Sequence, residues 1–260
     1  MNLAADLALA VDPVRLARRV GLDPDPWQSA LLRSDARQTI LNCSRQSGKS
    51  TTTAVVAVHE SEYRAPALVL LLSPSLRQSQ ELFRKVKEVR AALAFDVCPV
   101  TEESALRLEM VNGSRIVCLP GKEATIRGYS GVSLLVVDEA SRVPDELYQA
   151  VRPMLAVSGG RLVLLSTPFG RRGFFFHEWT EGGEAWRRVK VTAHDCPRIP
   201  CAWLDAEREA IGEWWYRQEY ECEFVETLDQ VFGYELVMSA VNSEIPPLFG
   251  GWRAAQPQDV

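Results

Sequence analysis

Between Cys43 and Thr51 the chain reads CSRQSGKST, after the short apolar run Thr39-Ile40-Leu41 and before a helix-like stretch from Ser50 to Tyr63. This setting suits a loop that wraps phosphate. Backbone N–H groups from Ser44, Arg45, Gln46 and Ser47 into the start of the helix face an anion whose charge the helix dipole favours. Gly48 lets the backbone approach closely. Lys49 reaches the β- and γ-phosphates as a point charge, and the hydroxyl of Ser50, next to Thr51, holds Mg²⁺ as an oxygen ligand. The pattern G-x-x-x-x-G-K-[ST] has glycine where this chain has Cys43, so a strict match fails. On this segment alone a plain helix start with a solvated lysine stays open.

A second segment, Leu134-Leu135-Val136-Val137-Asp138-Glu139, is an apolar run ending in two carboxylates. Runs of this length are typical of parallel strands covered on both faces. At the strand's end Asp138 is placed to bind Mg²⁺, mostly through its waters, and Glu139 to polarise a water for in-line displacement. Acidic pairs after apolar strands also occur as plain helix caps. A third segment, Leu162 to Leu165, runs into Ser166-Thr167-Pro168-Phe169-Gly170. Short polar side chains there sense whether a γ-phosphate is present, or the segment is a strand closed by a Pro-Gly turn. Ahead of the loop, Gln28 reads an adenine edge with Trp27 packed nearby, or is a surface glutamine.

Positioning these groups calls for a parallel sheet. The loop unit is followed by a second buried strand, Ala67 to Ser73, closed by Pro74, and by a helix from Leu76 to about Leu93. This β-α-β-α alternation implies a parallel, right-handed arrangement. From Ala105 to Leu119 the period changes to two, with Asn112-Gly113 between ALRLEMV and SRIVCL, which predicts a hairpin. Residues 2 to 20 carry apolar positions at helical spacing, and Pro24, Pro26 and Trp27-Gln28 read as a turn. After Val191 strand signals fade into a Trp-rich helical region, Ala202 to Phe224. From Leu228 onward Pro and Gly accumulate as in a linker or tail. The expected division is a core over 1–195, a helical lid over 196–227 and a tail over 228–260. No internal repeat is visible.

The chain has 260 residues with 47% hydrophobic side chains, enough for one large α/β domain and unlike a disordered or fibrous protein. Its formal net charge of −5 argues against coating nucleic acid with the whole surface, so any such contact is local. Candidate patches are Arg171-Arg172, Arg187-Arg188 with Lys190, and Arg84, Lys85, Lys87 and Arg90, the last reading as a solvated helix face. The six cysteines form no CxxC pair, and ligand spacing around His194 and Cys196 is wrong for zinc. No stretch approaches the roughly 18 apolar residues of a membrane span, and Asp6 and Asp12 stand where a basic signal region would be, so a cytosolic protein is expected.

Taken together, PDPWQ at 24–28, SRQSGKS, IRGYSGVSLLVVDEA, LLSTPFGRRGFFFHEW and RQEYECEFV at 217–225 resemble the ATPase domain of the large terminase subunit, the packaging motor of tailed bacteriophages. The resemblance implies a P-loop NTPase of the ASCE, RecA-like kind, with a mostly parallel sheet, helices on both faces and a small helical lid. It implies ATP and Mg²⁺ as cofactors, and in that family the first loop glycine is often replaced. It makes Arg45 the arginine that contacts the γ-phosphate within the subunit and Arg127 the finger donated to a neighbour's site. Its implied partners are double-stranded DNA, further copies in a ring, a pentamer when assembled, the portal protein and the small terminase subunit, in the host cytoplasm. Family members usually continue into a metal-dependent nuclease domain, which is not expected here. A superfamily 2 helicase or translocase, which needs a second RecA-like domain, and a non-catalytic nucleotide-dependent docking module are the competing readings.

Overall fold

The computed structural model describes residues 3–93, 98–121 and 128–226, with Leu236, Ser239 and Ala240 beyond them. The chain divides at Val225 into a compact unit and a remainder from Glu226. In that remainder Ser239 Oγ donates to the Leu236 carbonyl at 2.8 Å.

The compact unit is built on one eight-stranded sheet. Its strands are β1 (Gln38–Cys43), β2 (Leu68–Ser73), β3 (Val100–Glu103), β4 (Arg107–Met110), β5 (Arg115–Pro120), β6 (Leu134–Asp138), β7 (Arg161–Ser166) and β8 (Trp186–Val191), in the order β3-β4-β5-β2-β6-β7-β1-β8. All pairings from β5 through β8 are parallel, and the β3-β4-β5 edge is antiparallel. Alternation along each strand sends successive side chains to opposite faces. Leu41, Leu71, Val136 and Leu165 pack under α2 (Pro13–Arg19), α3 (Pro26–Leu32), α4 (Lys49–Tyr63) and α5 (Leu76–Leu93). Ile40, Leu70, Val137 and Leu164 pack under α6 (Asp145–Val151) and α7 (Gly173–Thr180). Burial on both faces is why the central strands read as continuous apolar runs. The α/β fold with helices on both faces is as expected, and the Asn112-Gly113 turn does join β4 and β5.

Three local expectations need correction. The N-terminal helix is two helices, α1 (Leu3–Val11) and α2, because Pro13 lacks an N–H and Asp12 caps the second, its Oδ1 accepting from Val14 N at 3.1 Å. The segment read as a turn at Pro26 opens α3: proline suits a first helical position, and Asp25 and Gln28 form a capping box. The Trp-rich region is helical as expected, formed by α8 (Cys201–Ile211) and α9 (Glu213–Glu219), which meet at Gly212 (φ 79°) and share a small core of Leu204, Tyr216 and Tyr220. Arg90 is not on a solvated face. It lies on the buried stripe of α5 with Leu82, Phe83, Val86 and Leu93, and pairs with Glu62 while also donating to the Cys98 carbonyl at 2.7 Å.

Candidate active site

The parallel register brings the C-terminal ends of β1, β7 and β6 side by side, with Asn42 opposite Ser166 and Asp138 opposite Leu165. From β1 the chain enters the loop Ser44–Gly48 and turns into α4. Cys43 ends the strand with its side chain buried in the core, burial pushing its thiol up to about 12. Its backbone is not at positive φ, so nothing at this position demands glycine. Positive φ falls instead on Gln46 (59°) and Gly48 (91°). Ser44 and Ser47 are fully buried, and Ser47 Oγ donates to the Ser44 carbonyl at 3.0 Å, closing the loop on itself. Lys49 is nearly buried, and its Nζ donates to the carbonyls of Ser44 at 2.9 Å and Cys43 at 3.3 Å.

One α4 turn connects to the acids: Ser50 Oγ donates to Asp138 Oδ2 at 3.4 Å, and Glu139 N donates to Asp138 Oδ1 at 3.1 Å. Burial, with the charge of Glu139 beside it, pushes the Asp138 carboxyl up to about 7. The donor set for a divalent cation is therefore all oxygen, one hydroxyl and one carboxyl, with the Glu139 carboxyl on the next residue. Those residues fit Mg²⁺, which takes hard oxygen ligands and keeps several waters. Among the described residues no group of three or more His, Cys, Asp and Glu side chains forms another metal site.

Glu139 sits in the left-handed region (φ 50°), a conformation that is uncommon for a residue with a side chain and that clusters at functional sites. The strained residue starts the 3₁₀ turn Ala140–Arg142. Ser166 Oγ reaches the Glu139 Oε2 at 3.5 Å, and Ser141 ties the same corner, 2.7 Å from Ser166 Oγ and donating to the Thr167 carbonyl at 2.8 Å. The polar tips of β7 are thus wired to the Glu139 turn, and both Ser166 and Thr167 are buried.

Arg45 is exposed at the loop's outer side and ion-pairs with the buried Glu219 of α9, which Arg142 also approaches at 3.9 Å. On the opposite flank a cavity of about 690 Å³ is lined by Gln28, Gly48, Thr51, Val55 and Arg198 among others. Gln28 is buried there, its Oε1 accepting from Asp25 N at 2.8 Å and its Nε2 facing the Ser47 carbonyl at 3.5 Å. Trp27 is not among the lining residues. It packs against the core beneath α3. Arg127 lies outside the described residues. Of the basic patches, Arg188 is spent on the carbonyls of Glu178, Trp179 and Gly183, whereas Arg187 and Lys190 are exposed. Glu219, Ser141 and Arg198 were not anticipated. Glu219 lies in the QE pair of the 217–225 segment, the single sequence signal among the three.

A phosphate loop entering a helix, an acidic pair ending the strand two positions away, and a polar-tipped strand between them define an α/β P-loop NTPase fold. The family described as terminase large subunit, T4likevirus-type, N-terminal matches residues 40–237, and this chain belongs to that family. The terminase large subunit of Thermus virus P23-45 is 29% identical over 248 residues, covering 82% of this chain and 51% of that protein. The chain spans about half the length of the curated relatives it matches. Among solved structures, the large terminase ATPase domain of Thermus phage P74-26 superposes with a TM-score of 0.71 at 24% identity, covering 81% of this chain and 98% of that one. The large terminase of thermophilic bacteriophage D6E, in complex with ATP-γ-S, gives 0.61 at 14% identity over 85% of this chain and 52% of that one. At these identities the structural likeness speaks for the fold.

Proposed function

We propose that this chain is the ATP-hydrolysing motor domain of a viral large terminase, which moves double-stranded DNA into a procapsid. The observation that carries the reading is the meeting of Ser50 and Lys49 on α4, Asp138 at the end of β6 with Glu139 next to it, and Ser166 on β7 at one end of the sheet. Ser50 and Asp138 would hold Mg²⁺, which when bound neutralises charge on the β- and γ-phosphates. The loop's N–H groups and Lys49 orient the triphosphate. Glu139 accepts a hydrogen bond from the attacking water and aligns it for displacement at the γ-phosphorus. Ser166 and Thr167, bonded to the Glu139 turn, report the loss of the γ-phosphate to the surrounding helices.

Arg45 supplies a cation from the same subunit, and Arg127 one from the neighbour in a ring. A guanidinium against developing phosphate charge contributes several powers of ten in rate. Portal protein and small terminase subunit are the docking partners, DNA contacts are local basic patches, and the site of action is the host cytoplasm. Among the described residues no helix is long and apolar enough to cross a membrane.

The test is ATP turnover against protein concentration for the wild type, Arg127→Ala, Glu139→Gln and a mixture of the two variants. A steep rise with concentration, loss in each variant and partial recovery in the mixture are expected. Concentration-independent turnover that survives Arg127→Ala overturns the shared site and moves the finger role to Arg45.

A further inference from the structure

Resting on the reading of this site as a nucleotide-hydrolysis centre, we propose that Arg198 is the positioning residue of the base subsite: it locks the Asp25–Gln28 wall of the cavity to the phosphate loop, so that a purine base is held there independently of the grip on phosphate. Arg198 lies in the connection between β8 and α8, 173 residues from Asp25. Its Nη1 and Nη2 donate to Asp25 Oδ1 and Oδ2, each at 2.7 Å, and Nη2 donates also to the Ser47 carbonyl at 3.1 Å. Gln28 Nε2 points to the same carbonyl, and its Oε1 accepts from Asp25 N. Three side chains thus close a circuit around one peptide of the loop.

The geometry of Gly48 says how tightly that wall is packed. A Cβ at this position would lie 2.7 Å from Gln28 Nε2 and 3.6 Å from Arg198 Nη2. Asp25, Gln28, Gly48 and Arg198 all border the 690 Å³ cavity. Arg198 is not a phosphate ligand on this geometry. Its charge is matched by the nearly buried carboxylate of Asp25, so the pair presents little net field to an anion. What the fork-like pair provides is a fixed, planar edge, the geometry in which arginine stacks on or brackets a flat ring.

The experiment measures binding of ATP and of inorganic tripolyphosphate to the full 260-residue chain with Mg²⁺, by titration calorimetry. The wild type is expected to prefer ATP. In Arg198→Ala the affinity for ATP falls about tenfold, the scale of losing hydrogen bonds to a charged group, while tripolyphosphate affinity holds. Arg198→Ala leaves the Asp25 carboxylate unpaired, so the double variant Asp25→Asn with Arg198→Met, which removes both charges, reads the same contrast if the single variant does not fold. Equal loss for both ligands makes Arg198 part of the phosphate grip and overturns the proposal, as does no loss for either. A wild type that binds both ligands equally overturns the reading of the cavity as a base seat, and this proposal with it.

Discussion

The two flanks of the site are made in opposite ways. On the phosphate flank the chemistry is contiguous in sequence: nine residues from Cys43 to Thr51 form the loop and the first turn of α4, and Asp138 and Glu139 are neighbours. On the base flank Asp25, Gln28, Ser47 and Arg198 are gathered from three distant segments by hydrogen bonds. A contiguous motif holds charge in place largely with backbone N–H groups at a helix start. A gathered wall depends on each member, because every hydrogen bond fixes the next.

The largest break should come on the phosphate flank. Glu139→Gln is expected to lower turnover by about 10³-fold, within the range of general-base contributions, while ATP affinity stays unchanged. Rapid-quench and binding measurements on the same preparation check this, and normal turnover removes Glu139 from its role. As a yardstick outside both flanks, Arg90→Ala leaves the buried Glu62 carboxylate without its ion pair. It should cost about 3 kcal/mol in urea unfolding without altering nucleotide affinity of the folded fraction. Lys49→Ala should weaken ATP and tripolyphosphate alike, by about 30-fold, since its Nζ sits on the loop, bonded to the Ser44 and Cys43 carbonyls, and does not line the cavity. If only ATP binding suffers, the division between flanks is wrong. Gln28→Ala is the mildest: about 1 kcal/mol of stability from the lost capping box, visible as a small fall in Tm, with a few-fold loss for ATP and none for tripolyphosphate.

This contrast also sorts what the sequence reveals. The loop, the strand ending in Asp138-Glu139, the strand ending in Ser166 and the Asn112-Gly113 hairpin are local patterns, readable from period and turn chemistry. Strand β3 is exposed along its whole length, so it has no apolar signal to betray it. Helix α3 is signed by Pro26 with Asp25 and Gln28, a cap that reads equally as a turn when only Pro and Gly are weighed. Arg90 shows the converse: its charge suggests solvent, yet its spacing from Leu82, Phe83, Val86 and Leu93 puts it on the buried stripe of α5. Arg198 and Glu219 carry no local signature of their contacts, because Asp25 and Arg45 lie more than 170 residues away along the chain.

Strand β7 separates β1 from β6, and that placement acts as a ruler. Neighbouring strands stand about 4.8 Å apart, so the end of the loop strand and the end of the acid strand are separated by roughly 10 Å. A slot of that width is set in whole strand spacings and has no intermediate values. Without β7 it would shrink by half, and with another strand it would open beyond the reach of a carboxylate. Fine adjustment is left to side-chain length, which makes Glu139→Asp, a change of one methylene, a test of slot width more than of acidity.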